Sequence, residues 1–314
     1  MLLKVDRVTQ LLSTVLQALL KKGFYYLLLL WALPTGLAIG AISGFFGVGG
    51  GFLLTPILLL LGYSPSTAIT ISLLYSMSTS ISGALTYIQS KKIILKTTLL
   101  LSISGMIGTQ LAKPLVLYLT KKGLDDTVIS LLYILLLGYF SISMQFEAKK
   151  NAENRNTTTI SPLGPILIGL LGGFVSSILG VGGGFVMVPL LISVLGIPAR
   201  LAVGTSLTSI FFIVSTGFIS YIQTVSIPIT LATILVIGAL VGARFGASVT
   251  ASFSEKMMKK LLGILYLFTM ISIVLKLLHH TIPGLLILIG YIVTLMGLFL
   301  YQYWTKKKRL FFFE

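Results

Sequence analysis

Ten or eleven stretches of this chain are apolar and nearly free of charge over the length needed to enter or cross a lipid bilayer. A spanning helix needs about 20 apolar residues, because roughly 30 Å of hydrocarbon must be crossed at 1.5 Å per residue. The candidate segments are residues 24–46, 52–61, 67–88, 97–119, 127–144, 163–179, 185–195, 202–222, 228–250 and 260–278, with an extra one at 282–301. Of 314 residues, only 23 are Lys or Arg and 7 are Asp or Glu, while 56% are hydrophobic. A soluble domain carries about 25% charged residues, and one of this composition could not cover its own surface. A water-soluble enzyme and a disordered chain are both excluded. The pattern predicts an all-α polytopic membrane protein.

The net charge of +16 would suggest nucleic-acid binding in a soluble chain. Here the bases fall in short groups between apolar segments, as in loops that face anionic lipid, so the partner they imply is the bilayer and no nucleic acid. Cysteine is absent, which removes disulfides, thiolate metal sites and cysteine redox chemistry. No cofactor is expected.

The chain repeats itself. Positions 43–58 read SGFFGVGGGFLLTPIL and positions 176–191 read SSILGVGGGFVMVPLL, nine of sixteen being identical at an offset of 133. With one inserted residue the offset becomes 134, pairing Gly62 with Gly196, Ser72 with Ser206, Tyr87 with Tyr221 and Gly108 with Gly242. Such a match marks an internal duplication. The polar run 145–162 reads as the linker between a first repeat at 24–144 and a second at 163–278. Residues 1–23 read as an amphipathic arm on the membrane surface, and 279–314 as an extra transmembrane helix with a basic tail. Each repeat has about five segments, an odd number, so the two should enter the membrane with opposite topology. With the Lys91–Lys92–Lys96 turn in the cytoplasm, 14 Lys or Arg lie inside and 8 outside. Lys4, Arg7, Lys21 and Lys22 then lie outside, against the positive-inside rule.

Gly47, Gly49, Gly50 and Gly51 in the first half, and Gly180, Gly182, Gly183 and Gly184 in the second, each break a long apolar helix before a short one. Irregular backbone at membrane depth survives only where protein buries it or a cavity hydrates it. The short helix that follows offers unpaired N–H groups and the positive end of its dipole, a ready site for an oxyanion. Interrupted segments at matching places in two halves point to a transporter's binding site. Against this stands plain close packing of helices on glycine.

The doubled GVGGGFxxxP element, the Gly204–Thr205–Ser206–Leu207 stretch and the basic turn after the third segment resemble the TauE/SafE sulfite-exporter family of membrane permeases. The resemblance covers roughly residues 30–278. It implies transport of sulfite, organosulfonates or related sulfur oxyanions across the plasma membrane. The first half departs from it with Thr70–Ile71–Ser72–Leu73, and the extra final segment is a second departure.

Ser72, Ser76 and Ser80, spaced by four, share a helix face, with Tyr75 and Thr79 beside it. Thr205, Ser206, Thr208 and Ser209 are the counterparts. Their hydroxyls could donate to a substrate anion or bond back to their own helices. Arg244 lies within the segment 228–250, with Gln110 as its repeat mate, and an intramembrane charge is a functional candidate by default. All seven acids fall in expected loops or termini, and His279 and His280 at a segment end, so no carboxylate is expected to relay a proton. Export of an anion already runs downhill by about 2.3 kcal/mol per charge per 100 mV, inside negative. A secondary carrier for a small anion, an anion-selective channel and, more remotely, a membrane-embedded enzyme are the competing functions. A homo-oligomer is compatible with the sequence, and the substrate and direction stay open.

Overall fold

The computed structural model describes residues 31–149, 161–223 and 225–311, so the arm at 1–23 lies outside it. Among the described residues the elements are α-helices joined by short turns, with one 3-10 turn at Thr250–Ser252 and no strand. They are α1 (Trp31–Phe46), α2 (Gly51–Leu60), α3 (Pro65–Gln89), α4 (Leu95–Lys122), α5 (Asp125–Lys149) and α6 (Leu163–Leu179). Next come α7 (Gly184–Ser193), α8 (Ala199–Ile222), α9 (Ile229–Val249), α10 (Glu255–Leu277) and α11 (Thr281–Phe311). Seven of these are long and apolar enough to cross a membrane, and α1, α2, α6 and α7 are shorter apolar helices. The protein is therefore a multi-pass, all-helical membrane protein. Its outer face carries exposed apolar side chains such as Leu135, Tyr139, Ile142 and Phe146, as a lipid-facing surface must.

Local chemistry sets the helix ends. Ser64 caps α3 by accepting from the Thr67 N–H at 3.4 Å, with Pro65 opening the helix. Ser254 caps α10 through the Met257 N–H, and Glu255 sits in its first turn, where the helix dipole favours an acid. Several boundaries differ from those read in the sequence. Lys256 and Lys259, between the segments read as ending at 250 and starting at 260, lie in α10 and not in a loop, and Lys96 lies in α4. Helix α5 runs through Lys149, into the stretch read as linker, and Lys306–Arg309 continue the helix of α11. Glu147, expected in that linker, is instead a buried side chain of α5 facing Lys259 of α10 at 4.0 Å. Polar residues at the end of a long helix do not end it when the neighbouring helix supplies a counter-charge.

Two pairs of helices pack backbone to backbone. On α1, Gly36, Gly40 and Gly44 lie against Leu235, Ala239 and Ala243 of α9, and Gly238, Gly242 and Gly246 of α9 close the same seam. On α6, Gly169 and Gly173 lie against Leu101 and Gly105 of α4, whose Gly108 meets Leu170. Small residues four apart let the backbones approach. Shifted by 133 or 134, the first seam becomes the second: Gly36 on Leu235 matches Gly169 on Leu101, and Gly242 on Leu37 matches Gly108 on Leu170. The first helix of each repeated sequence thus packs on the fourth of the other.

The same exchange recurs deeper in the core. Phe52 of α2 meets the ring of Tyr266 of α10 at 5.9 Å, and its mate Phe185 of α7 meets Tyr133 of α5 at 6.3 Å. Within each half, by contrast, Tyr87 of α3 donates to the Gly44 carbonyl of α1 at 3.2 Å, and its mate Tyr221 of α8 donates to that of Ser177 of α6 at 3.0 Å.

Substituting Gly242 with Val should break the first seam, since a β-carbon there overlaps the Leu37 carbonyl. We expect a loss of about 1–3 kcal/mol, read as a lower thermal midpoint in detergent. Gly290, on α11, has open space around it. Its replacement by Ala should raise the midpoint by removing a glycine cost of about 1 kcal/mol.

Candidate functional site

The two glycine breaks meet at the centre of the buried core. The first ends α1 at Phe46 and turns through Gly47 and Gly49, both with positive φ (71° and 74°), before α2 begins at Gly51. The second ends α6 at Leu179 and turns through Gly180, Gly182 and Gly183, with φ of 69°, 75° and 75°, before α7 begins at Gly184. Side chains rarely adopt this left-handed backbone, so the glycines are required by conformation as well as by space.

Space is as tight as geometry. A β-carbon on Gly51 would overlap the carbonyl of Gly180, and one on its mate Gly184 would overlap that of Gly47. A β-carbon on Gly47 would strike Val203, and one on Gly180 would strike Ile69, again mates. The start of each short helix is therefore set against the carbonyl end of the other half's long helix. Positive and negative helix ends face one another, a favourable arrangement in a low dielectric.

Hydroxyls bracket the crossing. Ser206 donates to the Gly47 carbonyl at 3.0 Å, and Thr55 reaches that of Gly180 at 3.5 Å. The Gly51 N–H donates to Ser76 Oγ at 2.8 Å, and the Gly50 N–H to Thr79 Oγ1 at 3.4 Å. Tyr75 spans from Gly50, which its ring covers, to the Gly36 carbonyl, which its hydroxyl bonds. Thus Ser76 and Ser206 come together with the glycines as partners of their backbone, and Tyr75 packs its ring on Gly50.

Other expected residues stand elsewhere. Thr205 accepts from the Ile94 N–H at 3.1 Å, and the Lys92 carbonyl lies on Gly204, so this stretch seats the basic turn. Ser209 donates to the carbonyls of Thr98 and Thr205. Gln110 is exposed on the outer face of α4, where its amide donates to Ser220 at 3.2 Å. Arg244 is exposed on the outer face of α9, five residues before the end of the helix. The structure brings neither Gln110 nor Arg244 to the breaks. The small-residue stripe that flanks each of them is the buried side, and a residue two positions along points almost the opposite way.

Three buried hydroxyls near the breaks, those of Ser43, Ser72 and Ser176, have no hydrogen-bond partner among the described residues, and neither has that of Ser80 on α3. Ser43 and Ser176 are repeat mates in the last turns of α1 and α6. The sequence signal for them was present, since they are the first identical pair of the duplicated stretch. A buried hydroxyl without a partner is uncommon in a native core. Arg200 was also missed. Its guanidinium donates to the carbonyls of Phe253 at 2.6 Å and Ala251 at 3.4 Å, holding the chain after α9. Among the described residues no three His, Asp or Glu side chains gather to hold a metal. A cavity of about 400 Å3 between α1, α2, α9 and α11 is lined by Ala38, Leu54, Leu58, Leu235 and Ile292. Its walls are almost wholly apolar, and the hydroxyl of Thr35 is taken up by the Trp31 carbonyl.

What the core provides is a buried crossing of two broken helices, with backbone donors, hydroxyls and no formal charge among the described residues. The model of the family described as "Sulfite exporter TauE/SafE" matches residues 32–273. Among similar chains, the "Probable membrane transporter protein MJ0441" of Methanocaldococcus jannaschii is 29% identical over 273 residues, 80% of this chain and 99% of that one. The "Probable membrane transporter protein YjnA" of Bacillus subtilis is 28% identical over 230 residues, 70% of this chain and 90% of that one. No solved structure gives a significant match. With a family match that spans both glycine breaks and nearly every helix around them, the chain belongs to the sulfite exporter TauE/SafE family of membrane transporters.

Proposed function

We propose that this transporter moves a small sulfur oxyanion, sulfite or an organosulfonate, out of the cell across the plasma membrane. The observation that carries this reading is the reciprocal apposition of the two breaks, Gly51 on the Gly180 carbonyl and Gly184 on that of Gly47. It forms a buried polar crossing shared by both halves of the chain. The exchanged seams between α1 and α9 and between α6 and α4 support two inverted-topology repeats. Residues 24–144 and 163–278 are then the moving units, and 279–314 an appended helix. An anion at the crossing would meet backbone N–H groups and hydroxyls, which stabilise it without binding it as tightly as a buried cation would. The close fit at the crossing favours a carrier over an open channel, since the halves must part before anything passes.

The membrane potential suffices to drive export, by about 2.3 kcal/mol per charge per 100 mV. In proteoliposomes loaded with methanesulfonate, which stays ionised, an inside-negative potential should speed efflux and an inside-positive one should slow it. Strict dependence on a pH gradient with this substrate would contradict the reading. In a thermal-shift screen of the purified chain, sulfite, taurine or methanesulfonate should raise the midpoint. Gly184→Ala should lower transport at least about tenfold, because the added methyl forces the crossing apart.

A further inference from the structure

The two ends of the core differ in charge. Arg200 stands in the first turn of α8. One turn further on, α8 seats the basic turn that follows α3: the Lys92 carbonyl lies on Gly204, and the Ile94 N–H donates to Thr205. Lys91 on this turn is exposed and Lys92 half-buried. Lys96, Lys256 and Lys260 lie at the same end, in the first turns of α4 and α10, whose far ends carry Lys121, Lys122 and Lys276. At an offset of 134 the mates of Arg200, Lys91 and Lys92 are Ser66, Val225 and Ser226. The equivalent place at the opposite end of the core therefore has none of these charges.

The guanidinium of Arg200 is only partly used. Its Nη2 donates to the carbonyls of Phe253 and Ala251. Its Nε is fully buried, and neither Nε nor Nη1 has a partner among the described residues. No described acid balances the charge, since Glu255, two residues past Phe253, is not paired with it. Buried donors are nearly always bonded in a native protein, and a cation short of both bonds and counter-charge attracts an anion. Arg200 also stands beside the way to the crossing. Val203, its neighbour on the same helix face and about 4.5 Å further along the axis, packs on Gly47 of the first break. Ser206 bonds the carbonyl of that glycine.

We infer that Arg200 and the Lys91–Lys92 turn form a capture site for the oxyanion at one mouth of the transporter. By the positive-inside rule this crowded basic end is the cytoplasmic one. The unbonded N–H groups of the guanidinium take the oxygens of the anion, the buried Nε being uncovered as the halves part, and the lysines gather anions around it. The opposite mouth lacks the cation, so the two faces of the membrane meet sites of unequal affinity. This rests on the transport reading above and sharpens it, by naming the residues that give the cytoplasmic face the lower KM.

The test compares the two faces of the full-length protein. Inverted membrane vesicles present the cytoplasmic face to added methanesulfonate, and right-side-out vesicles the other. In inverted vesicles, Arg200→Gln should raise the KM for uptake about tenfold and change kcat by less than about twofold. In right-side-out vesicles its KM should match wild type. Arg200→Lys, which keeps the charge, should fall between the two. The double variant Lys91→Gln, Lys92→Gln should raise the same KM about threefold and flatten its dependence on salt. Should Arg200→Gln fail to fold, Arg200→Lys and the lysine pair carry the test. If Arg200 only holds the chain after α9, its variants melt earlier at unchanged KM. That result, with an unchanged KM for the lysine pair, would overturn the inference and leave the transport reading standing. Loss of co-purifying phosphatidylglycerol from Arg200→Gln at unchanged KM would assign the cation to a lipid head group and overturn it too. A wild-type chain that moves methanesulfonate from neither face would overturn the sulfur-oxyanion reading itself, and the inference with it.

Discussion

Inside hydrocarbon the backbone has no water to bond, so each interruption of a helix must find partners within the protein. The fold around the two glycine breaks follows from this requirement. Each break exposes carbonyls at the end of one helix and amides at the start of the next. The chain meets the need by setting the breaks against each other and surrounding them with α3 and α8, whose Ser76, Thr79 and Ser206 reach the loose backbone groups. The glycine seams between α1 and α9 and between α4 and α6 follow as well. They draw the long helices close enough for the breaks to touch.

Duplication explains why the solution is reciprocal. A sequence that must bury its own break can do so against a copy of itself, if the copies are related by a two-fold operation. Gly51 on Gly180 and Gly184 on Gly47, Phe52 on Tyr266 and Phe185 on Tyr133, are single contacts written twice. Neither half retains these contacts alone, so the two repeated sequences form one core. The appended α11 stands outside this exchange and outside the family match, which ends at residue 273. It packs through Phe299 on Phe45 and Phe253, with ring centres 4.4 and 5.8 Å apart.

Much of this was legible in the sequence, since the length of an apolar run and the position of a glycine cluster are direct consequences of membrane thickness and backbone freedom. The segment count, the breaks and the pairing offset needed only those two facts. Side-chain direction was harder. Arg244 drew attention as a charge within an apolar segment, yet Gly242 and Gly246 on either side of it already indicated which face was buried. A position two residues away is turned by about 200°. Gln110, between Gly108 and Ala112, obeys the same geometry. The hydroxyls could not be sorted from sequence, because Ser and Thr bond equally well to their own helix, to a neighbour or to a ligand. Thr208 bonds back to Gly204, Ser206 bridges to Gly47, and Ser72 does neither. Glu147 was misplaced because a polar run resembles a loop until its counter-charge on another helix is known.

The differences between the halves carry as much meaning as the likenesses. A duplicated chain begins with two equivalent helix starts. Ser76 and Thr79 close one start, while Ile210 and Ile213 leave the other without a polar cover. Replacing two hydroxyls by two aliphatic side chains therefore leaves the two helix starts of a duplicated scaffold unequal. The donors that remain are neutral. Under the proposed transport, neutral donors with no cation beside them would release an anion more readily than a charged pair would.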